Sequence, residues 1–202
     1  MHLYYAPASP FVRKVMVLLH EAGATDQVTL IPASGNPLDP GTMPLDRNPL
    51  GKIPALERDD GPALYDSRVI CRYLDDRLGA GLYPAAPRLW EVLTLEATAD
   101  GIADAAVLMR YEGFVRPEPF RSSDWMEGQW AKIDRALSTL EQRWLSHLNG
   151  PINMGQIALA AALGYLDFRH QSRPWRAGRP GLDDWASHFA LRPSMMTTAP
   201  QG

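Results

Sequence analysis

The spacing of apolar residues changes character near residue 80: before it, short runs alternate with amphipathic stripes, and after it every apolar pattern keeps a helical period. Leu3-Tyr4-Tyr5 reads as a short strand, and residues 10–21 as a helix with Phe11, Val15, Leu18 and Leu19 on one face, stopped by Gly23. Residues 27–31, QVTLI, give a second strand. Six prolines from Pro32 to Pro54 then preclude a long helix, and a loop of this length in a compact unit tends to be functional or mobile. Two short strands, Ala55-Leu56-Glu57 and Ala63-Leu64-Tyr65, flank an Asp-Asp-Gly-Pro turn of hairpin type. Asp66 or Ser67 caps the next helix, which sets Val69, Ile70, Tyr73, Leu74 and Leu78 on one face.

Residues 79–87, GAGLYPAAP, have the composition of a linker. Residues 88–114 follow as a long helical pattern, and 123–148 as another, in which Met126, Trp130, Ile133, Leu137, Leu140 and Trp144 alternate steps of four and three, the stripe of a core-facing helix. At residues 151–157, Asn153 can cap, Gln156 can reach back to it, and Ile152 can pack on Ile157, which together make a capping box with a hydrophobic staple. The helix that follows, to about Arg169, is apolar nearly all round in its first half and belongs at the centre of a bundle. A last amphipathic helix bears Leu182, Trp185, Phe189 and Leu191, and the tail from Ser194 is expected to fray. The chain thus divides into an α/β unit, residues 1–78, a linker, 79–87, and an all-helical unit, 88–202.

Composition narrows the function. With 202 residues and 46% apolar content the chain can bury a sizeable core without metal or disulfide support. Cys71 is the one cysteine, which excludes a disulfide framework or a Cys-x-x-Cys pair and fits a reducing compartment. No basic stretch leads into an apolar one at the N-terminus, and the longest apolar run, 157–166, is too short to span a bilayer. A soluble, cytoplasmic protein without membrane association is the expectation. The 20 basic and 23 acidic side chains are intermixed and leave no footprint for nucleic acid, so the expected ligand is small.

Three stretches carry candidate chemistry. Ser9-Pro10 is a competent helix start, since serine caps and proline at the first helical position forgoes an N–H that has no partner there. A hydroxyl both accepts and donates, so Ser9 can cap its helix and still offer a proton to a ligand, while the helix end favours a thiolate nearby. Pro54 lies between loop and strand; a cis bond to Ile53 there would open the Ile53 N–H and C=O to an extended peptide ligand, and an ordinary trans turn is the alternative. Asp66-Ser67 opens a helix whose unpaired N–H groups suit a carboxylate, with Asp66 able to accept from an ammonium, so the pair is either a head-group site for an α-amino acid or simply a cap.

In this order and spacing the stretches resemble the glutathione transferase superfamily over nearly the whole chain. Y-x-P-x-S-P-F-V-R-K, from Tyr5 to Lys14, is similar to the family's first strand end and helix start, where thioredoxin-fold relatives carry C-P-x-C. N-P-x-G-K-I-P-A-L, from Asn48 to Leu56, resembles its cis-proline motif, and Y-D-S its usual Glu/Gln-Ser. A-D-G-I-A-D, residues 99–104, resembles the stretch whose aspartate reaches the neighbouring subunit's glutathione, and residues 157–169 and 189–194 resemble the buried and C-terminal helices of bacterial members. The resemblance implies an α/β thioredoxin-like N-terminal domain plus an all-α helical-bundle C-terminal domain. It further implies a homodimer, and glutathione as co-substrate, without metal, conjugated to a small hydrophobic electrophile, as in detoxification. It assigns thiol activation to Ser9 or Tyr5, with Ser9 the closer match, and glutathione binding to Phe11, Lys52, Ile53, Pro54, Asp66, Ser67 and Asp100. By position alone, Ala106, Met109, Arg110 and Tyr111 would wall the electrophile pocket. The chain departs from the family pattern in opening its buried helix with Asn153-x-x-Gln156 instead of Ser/Thr-x-x-Asp, and in Asp66, one methylene shorter than the common Glu. A non-catalytic glutathione-binding or regulatory protein is the alternative; a thiol-disulfide reductase would need a cysteine at position 9.

Overall fold

In the computed structural model, which describes residues 1–202, β1 (His2–Tyr5) runs parallel to β2 (Thr29–Pro32) and antiparallel to β3 (Ala55–Arg58). β3 pairs antiparallel with β4 (Gly61–Leu64), so the sheet order is β2-β1-β3-β4. A parallel pair needs a crossover, and α1 (Pro10–Glu21) supplies it. Leu3 and Leu56 face each other on the two central strands, both fully buried, and Val15, Val17, Leu18 and Leu19 of α1 join them in one core. The second strand starts later than its sequence pattern suggests, because residues 25–27 form a 3-10 turn. α2 (Ser67–Leu78) docks on α1 and β3 through Ile70, Cys71 and Leu74. Val69, expected on that face, is exposed: it sits at the edge of an arc that Ser67, Ile70, Cys71 and Leu74 fill.

After residues 79–87 the chain is helical: α3 (Arg88–Phe114), α4 (Ser123–Arg143), α5 (Leu145–Leu148), α6 (Met154–Arg169), α7 (Pro180–Ala190) and α8 (Pro193–Thr197). The expected 123–148 helix is broken at Trp144, which belongs to neither piece. α6 packs chiefly on α3 and α1, so it joins the helical half to the sheet half. Twelve of its residues are buried, and burying each Leu or Ile is worth about 1.5–3 kcal/mol. Gly155 permits its close approach to α3, since a Cβ there would lie 3.0 Å from three side-chain atoms of Leu95. No helix is long and apolar enough to cross a membrane.

Two expectations at the C-terminus need correction. Leu191 is exposed, because α7 ends at Ala190 and the chain turns away through Arg192-Pro193. The tail does not fray after Ser194: α8 is helical, Ser194 and Met195 are buried, and the segment is tied to α1. Glu21 pairs with Arg192 at 2.7 and 2.9 Å and accepts from the Ser194 hydroxyl, while Arg13 Nη2 donates to the Met195 carbonyl at 3.0 Å.

Candidate functional site

Ser9 has extended backbone angles and accepts a hydrogen bond from the Val12 N–H at 3.3 Å, so it is the cap of α1, with Pro10 at the first helical position. Its hydroxyl proton has no protein acceptor. Tyr5 ends β1, half-buried, with a hydroxyl that makes no hydrogen bond within the chain; Phe11 packs at the margin of the core. The Ile53–Pro54 bond is cis, and neither the N–H nor the C=O of Ile53 is paired within the chain. Asn48, nearly sealed from solvent, braces this loop: its side-chain amide donates to the Lys52 carbonyl at 2.7 Å, and its Oδ1 accepts from the Leu50 N–H at 3.0 Å. The sequence reading missed Asn48; an Asn-Pro-x-Gly sequence favours the turn made by its Oδ1, whereas the bond to the Lys52 carbonyl is set by the fold of the loop. Lys52 is exposed and has no ion-pair partner.

At the start of α2, Asp66 is the cap, accepting from the Arg68 N–H at 3.0 Å. Burial raises its carboxyl, but the bond from the Arg68 guanidinium, 2.9 Å away, prevails and holds it below the usual carboxylate range. The acceptor proposed for an ammonium is therefore already engaged. Ser67 is buried, and its Oγ accepts from Lys14 Nζ at 3.4 Å. Lys14 itself lies 2.7 Å from Asp100 Oδ1 and 2.9 Å from Glu96 Oε1, so Asp100 is placed inside the same chain, between α1 and α3. Burial lowers the Lys14 ammonium, yet Asp100 and its other neighbours keep it above its ordinary value; burial likewise pushes the Asp100 carboxyl up, with Lys14 opposing. The amphipathic stripe of α1 conceals Lys14 in the sequence, because a charged residue beside a charged neighbour reads as part of a solvated face. Asp104, one turn on, is exposed.

On the electrophile side the four expected residues separate. Ala106 and Met109 are packed in the core, since α3 turns that face to α6, and the Ala106 carbonyl accepts from His170 Nε2 at 2.9 Å. Arg110 and Tyr111 remain half-buried, Arg110 stacked over Phe114 at 4.1 Å and the Tyr111 hydroxyl pushed up by burial. Tyr165, raised by burial to about 12, has a hydroxyl without a partner that solvent still reaches. Cys71 is buried, with its thiol pushed up by desolvation, and is poorly placed for nucleophilic chemistry. A cavity of about 460 Å³ between Arg88, Glu91, His147 and Asn153 contains none of these residues. Of the expected site residues, Ser67 and Asp100 are brought together by Lys14, while Ser9 and Ile53 stand at the start of α1 and just before β3, the strand that pairs with β1.

The family profile described as "Glutathione S-transferase, N-terminal domain" matches residues 8–77, and that described as "Glutathione S-transferase, C-terminal domain" matches residues 123–187. An uncharacterized GST-like protein, YibF, of Escherichia coli K12 is 34% identical over 99% of this chain and 98% of its own. A glutathione transferase family member of Pseudomonas fluorescens Pf-5, solved with bound glutathione, is 46% identical, with a TM-score of 0.96 over 100% of this chain and 99% of that one. The Pseudomonas fluorescens structure with bound S-(propanoic acid)-glutathione superposes at 0.92, also at 46% identity, over 100% of both chains.

Proposed function

The chain belongs to the glutathione transferase superfamily, and we propose that it binds glutathione, activates its thiol and transfers the thiolate to a small hydrophobic electrophile. What supports this is a Ser9 hydroxyl with its proton free at the start of α1, the unpaired N–H and C=O of Ile53 just before β3, the strand paired to β1, and a first turn of α2 whose Ser67 is tied to α1 through Lys14. The cysteinyl backbone of glutathione pairs with Ile53, its γ-glutamyl carboxylate takes the Ser67 end, and Ser9 donates to the sulfur. Phe11, Lys52, Pro54, Asp66 and Asp100 belong to the same binding surface, with Tyr5 the competing donor to the sulfur. A directed hydrogen bond and a helix N-terminus together lower a thiol pKa by about 2. The thiolate attacks, the leaving group departs with its electron pair, and no other redox partner is needed. A relative that holds an S-substituted glutathione supports room beyond the sulfur in this family, and Arg110 and Tyr111 are our candidates for its wall by position alone.

The test is glutathione binding and conjugation to an aryl halide by wild type, Ser9→Ala and Tyr5→Phe. Ser9→Ala is expected to raise the pKa of bound thiol by about 1 to 2 and cut turnover at neutral pH about tenfold or more, with Tyr5→Phe changing little. An inverted result moves the assignment to Tyr5. Binding without turnover of any electrophile favours a regulatory glutathione-binding protein, and no binding removes the reading altogether. A homodimer belongs to the same proposal, with sedimentation equilibrium expected to give twice the chain mass of 22.4 kDa.

A further inference from the structure

A guanidinium drawn out of water needs an acceptor, because a charge left unpaired there is costly. Among the arginines withdrawn from solvent, Arg13 donates to the Met195 carbonyl and the others meet carboxylates, with two exceptions. Arg110 and Arg169 are half-buried, and neither makes an ion pair or a hydrogen bond within the chain. Each lies over a neighbouring ring, Arg110 over Phe114 at 4.1 Å and Arg169 over Phe168 at 3.9 Å. A guanidinium stacked by its face keeps the N–H donors along its edge free, and that edge matches a carboxylate.

The two arginines come from different helices and are brought to one place. Gly155 packs on Leu95, and the Ala106 carbonyl accepts from His170 Nε2 at 2.9 Å, so α3 and α6 run parallel with their C-terminal turns level. Arg110 stands one turn after Ala106 on α3, and Arg169 one turn after Tyr165 on α6. Burial raises the Tyr165 hydroxyl to about 12, and the side chains whose charge acts on it are Arg169, Tyr111 and Arg110. Neither the Tyr165 nor the Tyr111 hydroxyl has a hydrogen-bond partner in the chain, so two free phenol donors accompany the two free guanidiniums. The carboxylates of the same stretches are taken: Glu112 by Arg116 and the Ser122 N–H, and Asp167 by Arg176 and Trp175. This place adjoins the start of α1. Arg13, one turn after Ser9, lies against Gly164, the neighbour of Tyr165, and leaves no room there for a side chain. A Cβ at Gly202 would stand 3.8 Å from Arg169 Nη2 and 3.9 Å from the side chain of Ala8, the residue before Ser9.

We propose that these four side chains determine the specificity of the acceptor pocket and that the electrophile carries a carboxylate: Arg110 and Arg169 take its charge, and Tyr111 and Tyr165 donate to its oxygens. The carbon attacked by the thiolate then lies between that carboxylate and the sulfur held at Ser9. This rests on the reading that the chain binds glutathione and activates its thiol, and it names the class of the second substrate, a short apolar body with an acid at its far end.

The probes are S-(2-carboxyethyl)glutathione and S-(2-carbamoylethyl)glutathione, which share a shape and differ in charge beyond the sulfur. Calorimetric titration of the wild type is expected to show the acid bound about tenfold more tightly than the amide, the worth of one charge-assisted hydrogen bond. Arg110→Gln and Arg169→Gln each lower that ratio, and the double variant brings it toward one. Arg143→Gln, which removes an exposed arginine at the end of α4, keeps the wild-type ratio. A ratio preserved in the double variant overturns the proposal, as does one lowered equally by Arg143→Gln, since a diffuse positive field behaves that way. The wild type gives a reading of its own should a variant fail to fold, because a ratio of one or below overturns the proposal outright. A wild type that binds glutathione but neither probe also overturns it and leaves the underlying reading intact. One that binds no glutathione takes that reading down as well, and titration with glutathione itself tells the two apart.

Discussion

Gln156 shows how much one atom can settle. It stands where the family resemblance implies an aspartate, yet it is almost fully buried and does more than an aspartate could. Its Oε1 accepts from the Asn153 N–H at 2.8 Å, while Asn153 Oδ1 accepts from the Gln156 N–H at 3.2 Å, which closes the capping box read from the sequence. Its Nε2 then reaches the carbonyls of Leu148, His147 and Gly150 at 2.8, 3.3 and 3.2 Å, satisfying the end of α5, where a carboxylate has no donor to offer. Gln156→Glu keeps the shape and turns a carboxylate oxygen against those carbonyls. The expected cost is about 3 kcal/mol at neutral pH, as for an uncompensated buried charge. Such a carboxyl has its folded pKa raised, so the penalty is full above that pKa and shrinks as pH falls towards the unfolded value near 4.3, where protonation restores a donor. Urea midpoints of the two proteins across this range check the sign, because a gap that widens on acidification is incompatible with it.

Among the elements, α8 is the one whose role the sequence conceals, and it acts on α1. Arg192 and Ser194 hold Glu21 in the last turn of α1, the Met195 carbonyl receives Arg13 one turn after Ser9, and a side chain added at Gly202 would meet Ala8 just before Ser9. The segment from Arg192 onward therefore runs antiparallel to α1 and steadies the helix that presents Ser9. The hydrogen bond from Arg192, together with that from Ser194, holds the Glu21 carboxyl below its ordinary range against the effect of burial. A depressed folded pKa gives stability that is present above the unfolded value near 4.3 and is lost as pH falls through the folded one. Glu21→Gln should cost about 1–2 kcal/mol at neutral pH, and its stability curve should converge with wild type in acid. Curves that stay parallel to low pH would show that the ion pair contributes nothing.

For the whole molecule, the salient fact is that one hydrophobic core of 39 buried residues includes Leu3, Leu18 and Leu56 of the sheet half together with Ile102, Ile133 and Leu159 of the helical half. α6 is packed against both α3 and α1, and the Lys14 cluster adds polar contacts across the same junction. Thermal unfolding is accordingly expected as a single transition, with calorimetric and van't Hoff enthalpies equal; two resolved transitions would mean that the halves fold independently. Gly155→Ala tests the tightness of the α3–α6 seam. Crowding Leu95 costs about 1–3 kcal/mol, offset in part by up to about 1 kcal/mol of helix propensity, so a melting temperature lowered by about 2–4 °C for each net kcal/mol is expected. An unchanged or raised value would show that the seam has slack.

What the sequence determined by itself is what depends on neighbours along the chain. The bounds of α1 and α3, the cap Ser9, a cap at Asp66 or Ser67, the box at Asn153 and Gln156 and the buried character of α6 all follow from periodicity and from groups within one or two turns of each other. The cis Ile53–Pro54 bond was legible as a possibility by resemblance to a motif. Tertiary structure decided the rest. Whether Val69 or Leu191 is covered depends on which other element arrives, and whether the tail docks depends on Glu21 and Arg13, more than 170 residues away. Ala106 and Met109 are core rather than wall because α6 lies against that side of α3. Lys14 is the sharpest case: a lysine is stable inside a protein only with carboxylates around it, and Glu96 and Asp100 come from a helix that the sequence separates from it by some eighty residues.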